Sequence, residues 1–315
     1  MILPWERTGY LHMKKAFVTE IKRALGENSI LLHEPMEKHT TFEIGGPADY
    51  VIFPSSIEDV KAAFSLLRQY EIPFLILGNG SNVLVRDKGI RGAVVVFNAL
   101  YSKMRADGNR IIAEAGASLK DISKFAASCG LSGIEFAVGI PGSLGGAVFM
   151  NAGAYDGEMK NVVRHVTSLS VDGTLHEWEF EQLKMGYRHS IFQENDQVIC
   201  EVILELSPGN KESILGKMDD FTKRREMKQP LEYPSAGSTF KRPEGYFAGT
   251  LIDQTGLKGL RVGGAQVSEK HAGFVINAGD ATAENVLELI SKVQKRVFEK
   301  HGVKLYPEVR VLGEE

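Results

Sequence analysis

The chain is short of cysteine, of long apolar runs and of surplus positive charge, and each shortage removes a class of function. Two cysteines occur in 315 residues, Cys129 and Cys200, each inside an apolar pattern. That excludes a disulfide framework, and both read as buried thiols of a protein made without disulfides, with the cytoplasm as the expected compartment. No apolar run approaches the ~20 residues of a membrane helix. The opening "MILPWERTGYLHMKKAF" lacks the basic-then-apolar order of a signal peptide. Met13 offers a second start, so residues 1–13 read as dispensable. A net charge of −3 argues against general nucleic-acid binding. There is no Gly-Lys-Ser/Thr loop, no HExxH, no His-x3-His and no GxSxG. A Walker nucleotide site, a metal centre and a nucleophile elbow therefore lack support.

What is present reads as an α+β protein of two or three domains. "DYVIF" is a strand, "SSIEDVKAAFSLLRQYEI" an amphipathic helix opened by a Ser55–Glu58 capping box, and "PFLIL" a buried strand. "SLKDISKFAASCG" is a helix capped by Ser118 and Asp121 and closed by Gly130. "VVRHVTSLSVDGTLHEWEF" alternates across a Asp-Gly turn and reads as a hairpin, and "QVICEVILEL" as a further strand. "SPGNKES" reads as a linker. The strongest helix is "ATAENVLELISKVQKRVFEKHG", with Val286, Leu289, Ile290, Val293 and Val297 on one face and Gly302 beyond its end. Three domains are expected: 14–75, 76–206 and 207–302, with a C-terminal strand in 303–315 packing back on the first.

Two glycine-rich stretches stand out. One is "LGNGSN" (77–82); the other is "GIPGSLGGAVFMNAGAY" (139–155), with five glycines and almost no charge. Bare backbone amides and serine hydroxyls suit a pyrophosphate, because glycine lets a ligand approach the chain. "GSLGG" also leads into a small-residue helix whose N-terminus would add positive potential. The plain alternative is two tight turns with close helix packing. Ser81, Asn82, Ser143 and Asn151 on these loops favour a dinucleotide.

"TTFEIGGPADYVIFP", "LGNGSNVLV", "GIPGSLGGAVFMNAGAY", "YRHSIF", "AGSTFKRP" and "YPEVRVLG" follow one another in this order. With that order and spacing, over about residues 36–312, the chain resembles the UDP-N-acetylenolpyruvoylglucosamine reductase family of flavoenzymes. No tyrosine occurs between Arg188 and Tyr233, so it resembles the shorter variant, without the tyrosine-bearing insert that covers the substrate. The resemblance implies an FAD-binding fold of the vanillyl-alcohol-oxidase type in two subdomains, plus a C-terminal α+β substrate domain. It implies FAD as cofactor and NADPH as co-substrate. The FAD contacts it implies are Gly78, Asn79, Gly80, Ser81 and Asn82, then Gly116, then Ile140, Pro141, Gly142, Ser143, Gly145, Gly146, Asn151, Gly153 and Ala154. A small-molecule substrate is expected, UDP-N-acetylglucosamine-enolpyruvate, with no nucleic acid, membrane or metal, and a monomer or weak oligomer.

The family's reaction moves hydride from NADPH to flavin and then to C3 of the enolpyruvyl ether, and C2 is protonated. It calls for an electron sink, a carboxylate clamp and a proton donor. The resemblance assigns the clamp to Arg188, whose guanidinium can hold a carboxylate by two bonds. It assigns Glu308 as partner and Ser238 as proton donor. Burial and like charge would raise the Glu308 pKa; an ion pair with Arg310 is its plain alternative. Tyr187, Lys228 and Gly237 are expected at the substrate. The basic run "KRREMK" (223–228) reads either as a solvated helix face or as attraction for a diphosphate. His39, His189 and His271 stay outside catalysis, with His271 as a candidate polar contact. Two other readings compete: an oxygen-using flavin oxidase of the same fold, and a nucleotide-binding module without activity.

Overall fold

The computed structural model describes the backbone from Pro4 and the side chains from Lys15, through to Glu315; the segment 1–13, read as dispensable, lies outside the residues described in full. Helix α1 (Pro4–Leu25) leads into strands β1 (Ile30–Pro35) and β2 (Pro47–Ile52), helix α2 (Ile57–Gln69) and strand β3 (Phe74–Leu77). Strands β4 (Val83–Val85) and β5 (Ile90–Val96) follow. One sheet has the order β1-β2-β5-β3, with β3 and β5 parallel. α2 forms because Val60, Ala63, Phe64 and Leu67 recur on one face and are all buried. Its cap is Ser56, which accepts the Asp59 amide, whereas Ser55 was the expected one; the Ser55 hydroxyl and amide instead reach the Asp59 carboxylate. Two adjacent serines left that register open, and the apolar stripe beginning at Ile57 decides it.

Strands β6 (Met104–Asp107) and β7 (Arg110–Glu114) precede helix α3 (Leu119–Ser128), capped by Ser118 as expected. Next come β8 (Leu131–Ser132), the short helix α4 (Leu144–Phe149) and the ribbon of β9 (Gly153–Ala154) and β10 (Gly157–Glu158). The expected hairpin forms as β11 (Val163–Leu169) and β12 (Leu175–Glu179), and β13 (Val198–Glu205) joins it. These strands build an antiparallel sheet of order β12-β11-β13-β7-β6. Segment 207–213 is not a linker: Ser207 and Pro208 form β14 against β8, and helix α5 (Lys211–Lys228) begins directly after. Cys200 is buried and its thiol is pushed up to about 12, chiefly by burial. Cys129 is exposed, against expectation, because it is the C-cap of α3 and lies past the buried stripe.

The remainder holds helix α6 (Ala248–Gln254), the sheet of β15 (Arg261–Val262), β16 (Ala265–Val267) and β17 (Val275–Asn277), helix α7 (Ala283–His301) and strand β18 (Arg310–Leu312). β18 pairs in parallel with β4. α7 buries the five expected side chains and ends at Gly302, whose φ of 69° suits a glycine C-cap.

The expected blocks 14–75, 76–206 and 207–302 are contiguous; the two compact units of the structure are interleaved. The first comprises residues up to Leu32, Tyr50–Asn79 and Gly92–Phe221; the second comprises His33–Asp49, Gly80–Arg91 and Thr222–Glu315. The first unit's core joins Phe17, Phe64 and Leu67 to Ile111, Ile122, Val166 and Val202. The second unit's core joins Phe42, Leu84 and Phe240 to Leu251, Val267, Leu289 and Val293. Among the described residues no helix is long and apolar enough to cross a membrane, and no group of three His, Cys, Asp or Glu side chains is placed to hold a metal.

Candidate active site

In the first unit the beginning of the first glycine stretch meets the second stretch. A Cβ on Gly78 would lie 2.0 Å from the Ser143 hydroxyl, and the Asn79 side-chain amide donates to the Pro141 carbonyl at 3.4 Å. The second loop is anchored on the Gly116 turn. Leu144 and Gly145 donate to the carbonyls of Ala117 and Ala115, and Leu119 donates to that of Gly142. Ile140 donates to Ala137, which closes the turn before the loop. The loop thus lies flat across the end of β7 and the start of α3. With its backbone pinned there, the amides of Gly142 and Ser143 donate to no backbone carbonyl among the described residues. The same holds for Asn79 on the first stretch. In the second unit it holds for Gly80, Ser81 and Asn82.

Backbone donors left without acceptors are costly when water is excluded and suited to an anion when it is not. The glycines divide into two kinds around them. At Gly80, with φ +60°, a Cβ would lie 2.1 Å from the His39 carbonyl. At Gly116 it would lie 2.3 Å from the Tyr101 carbonyl, at Gly145 2.9 Å from Ala115 Cβ, and at Gly153 2.6 Å from the Gly157 carbonyl. These glycines clear room for the protein's own chain. Gly146 differs: it is exposed, and a Cβ there would meet nothing nearer than the Ser143 hydroxyl at 3.5 Å. Helix α4 has only six residues, so its macrodipole adds little to the cradle.

Several implied cofactor contacts also make bonds within the protein. The Asn151 side chain is fully buried and makes three hydrogen bonds, all to protein. Its Nδ2 donates to Glu158 Oε2 and to the Gly186 carbonyl, both at 2.8 Å, and its Oδ1 accepts the Lys160 amide at 2.9 Å. Gly153 and Ala154 are β9 and pair with β10. The Asn82 side chain donates to the Glu308 carbonyl at 3.3 Å, and its own carbonyl accepts the Arg310 amide.

Arg188 sits at the tip of a two-residue turn. Gly186 and His189 exchange both backbone hydrogen bonds, leaving Tyr187 and Arg188 between them. Arg188 has φ +53°, a left-handed backbone that an L residue adopts at a cost of roughly 1–2 kcal/mol. Its guanidinium lies over the Tyr187 ring, 5.1 Å from the centroid, and Tyr187 is exposed. The Gln193 side-chain amide donates to the Arg188 carbonyl at 3.0 Å and to the Phe149 carbonyl at 2.8 Å. Ser190 Oγ donates to the same Phe149 carbonyl at 2.8 Å. His189 faces Glu194 at 3.1 Å. Sequence reasoning passed over Gln193, although it stands one residue past the "YRHSIF" motif that carries Arg188.

In the second unit Ser238 and Glu308 lie on adjacent extended segments. Phe240 bridges Pro307, Lys241 donates to the Tyr306 carbonyl, and Glu308 donates to that of Thr239. Thr239 is fixed on its other side by the Gly273 carbonyl and, through its hydroxyl, by the Val275 amide. Ser238, exposed at the start of this segment, follows Gly237 at φ +72°. Glu308 is half-buried. Two residues before Gly273, whose carbonyl accepts the Thr239 amide, His271 is held below the usual imidazole range, chiefly by burial, and its Nδ1 accepts the Gly273 amide. Lys228, exposed, ends α5.

Comparison with known proteins decides what this arrangement belongs to. An FAD binding domain model matches residues 48–179, and the model of the UDP-N-acetylenolpyruvoylglucosamine reductase C-terminal domain matches residues 229–312. The reductase of Clostridium perfringens strain SM101 is 53% identical over 91% of this chain and 94% of its own length. The chain belongs to the UDP-N-acetylenolpyruvoylglucosamine reductase family. The reductase of Clostridium botulinum strain Hall is 50% identical over 97% of this chain and 99% of that protein. The crystal structure of the reductase from Thermus caldophilus is 37% identical with a TM-score of 0.77, covering 90% of this chain and 97% of its own. This family member is thus an FAD-dependent oxidoreductase of α+β fold. The cradle fits such a cofactor: donor amides without acceptors on both glycine stretches, and a glycine, Gly146, with open space beside it.

Proposed function

We propose that the chain reduces UDP-N-acetylglucosamine-enolpyruvate to UDP-N-acetylmuramate with NADPH as electron source, a step in peptidoglycan synthesis. FAD, when bound, supplies the two-electron chemistry, taking hydride from NADPH and giving it to C3 of the enolpyruvyl ether. The amides of Asn79, Gly142 and Ser143 would hold its pyrophosphate, with Gly146 giving clearance. Arg188 grips the substrate carboxylate and remains charged as negative charge builds there. Glu308 is its partner at that group, and Ser238 gives a proton to C2. Tyr187, Lys228 and Gly237 contact the substrate.

Arg188 is the observation that supports this reading most. A turn tip with φ +53° favours glycine or asparagine, and an arginine there is kept at the expense of local backbone stability. The turn is held in this conformation by neighbouring bonds, among them that from Gln193 to the Arg188 carbonyl.

Ser238→Ala tests the assignment. Reduction of the bound flavin by NADPH is expected to stay within about twofold of the parent. Reoxidation by the enolpyruvyl substrate is expected to slow by at least about a hundredfold, near 2.7 kcal/mol of barrier. Stopped-flow absorbance at the flavin band separates the two; equal loss in both halves removes Ser238 from the proton-donor role.

A further inference from the structure

We infer that Gln193, with Asn151, is a positioning residue for Arg188, and that the pair fastens the arginine turn to the end of the helix that carries the second glycine loop. The inference rests on the role proposed for Arg188 and extends it to the residues that hold its turn. A side-chain amide has two N–H donors. Gln193 spends one on the Arg188 carbonyl and one on the Phe149 carbonyl, the last residue of α4. Asn151, two residues beyond α4, spends one of its donors on the Gly186 carbonyl, at the other side of the same turn. The turn Gly186–His189 is therefore held at both shoulders.

The attachment answers a specific difficulty. Arg188 is in a left-handed conformation that its own side chain disfavours, so the turn needs outside bonds to stay in it. Asn151 is also left-handed, at φ +42°, and is fully buried. α4 begins at Leu144, and Gly142, Leu144 and Gly145 are pinned to the Gly116 turn by three backbone bonds. Cofactor loop, helix and arginine turn are thus one continuous bonded path, six residues of helix long. Loosening Gln193 frees the Arg188 backbone without removing the guanidinium, so the guanidinium's aim degrades while the cofactor loop stays.

The test uses the purified FAD-loaded enzyme and four variants: Gln193→Ala, the near-isosteric Gln193→Glu, Arg188→Ala, and Arg188→Ala with Gln193→Ala. Gln193→Glu preserves volume and loses both donors, so it decides the matter if the alanine variant fails to fold. Each Gln193 single variant is expected to slow flavin reoxidation by substrate about tenfold, the size of one lost buried hydrogen bond, with NADPH reduction of flavin within about twofold. In the Arg188→Ala background, Gln193→Ala is expected to add no further slowing, because the two act on one group. Undiminished reoxidation in the folded single variants, or a further tenfold loss on the Arg188→Ala background, overturns the inference. If Arg188→Ala by itself leaves reoxidation intact, the proposed role of Arg188 falls and this inference falls with it, a result distinct from either of the others.

Discussion

At the scale of single residues, the glycines argue against treating glycine content as one signal. Gly80, Gly116, Gly145 and Gly153 are required by neighbouring carbonyls and side chains of the protein, since a Cβ at any of them would sit within 3.0 Å of another atom. Gly146 is under no such constraint. Gly146→Ala is therefore expected to leave thermal unfolding within about 0.5 kcal/mol of the parent, or to raise stability slightly through the unfolded state. FAD affinity, read by flavin fluorescence during titration of the stripped protein, is expected to weaken by at least about tenfold. Unchanged affinity would detach Gly146 from the cofactor. Asparagine teaches the same lesson: Asn82 and Asn151 read as ligand contacts in the sequence, yet the Asn82 side chain donates to the Glu308 carbonyl and that of Asn151 to the Gly186 carbonyl and the Glu158 carboxylate.

At the scale of elements, helix ends are set by partners from far along the chain. α7 has its own capping box, Thr282 with Asn285. A second cap comes from Asp87 in the loop after β4, whose two carboxylate oxygens accept the amides of Ala283 and Glu284 at 2.8 and 3.0 Å. A carboxylate at a helix N-terminus satisfies orphan donors and complements the dipole. Asp87→Ala is expected to cost about 1 kcal/mol, and Asp87→Asn about half of it, measured as the shift in the urea midpoint at constant slope. α4 shows the opposite case, a short helix held by what flanks it: backbone bonds to Ala115 and Ala117 before it, Ser190 and Gln193 after it.

At the scale of the whole molecule, each unit is assembled from separated stretches of chain, and the first contains most of the FAD-binding match. A ligand that binds only the folded form stabilises it by mass action. Stripping FAD is expected to lower the melting temperature. Adding it back at about 100 times its dissociation constant restores roughly 2.7 kcal/mol, with a midpoint that climbs with FAD concentration. A melting temperature indifferent to FAD, in a protein that remains colourless after incubation with it, would contradict the cofactor.

What the sequence determined by itself was whatever depends on near neighbours. The α7 stripe with its closing Gly302, the Ser118 cap, the β11–β12 hairpin and the alternation of β13 were all legible, because helix and strand periods are short-range and residue order encodes them directly. The six motifs in order also marked the family, because they carry their residues with them. Tertiary structure decided everything that turns on contacts between distant stretches. It chose Ser56 over Ser55, exposed Cys129, and made a strand of Ser207–Pro208. It placed His39 against Gly80 and Asp87 at the start of α7, and it put Arg188 on a strained turn with Gln193 behind it. Whether a polar side chain meets a ligand or a carbonyl of its own chain depends on which segment folds beside it, and no local pattern records that.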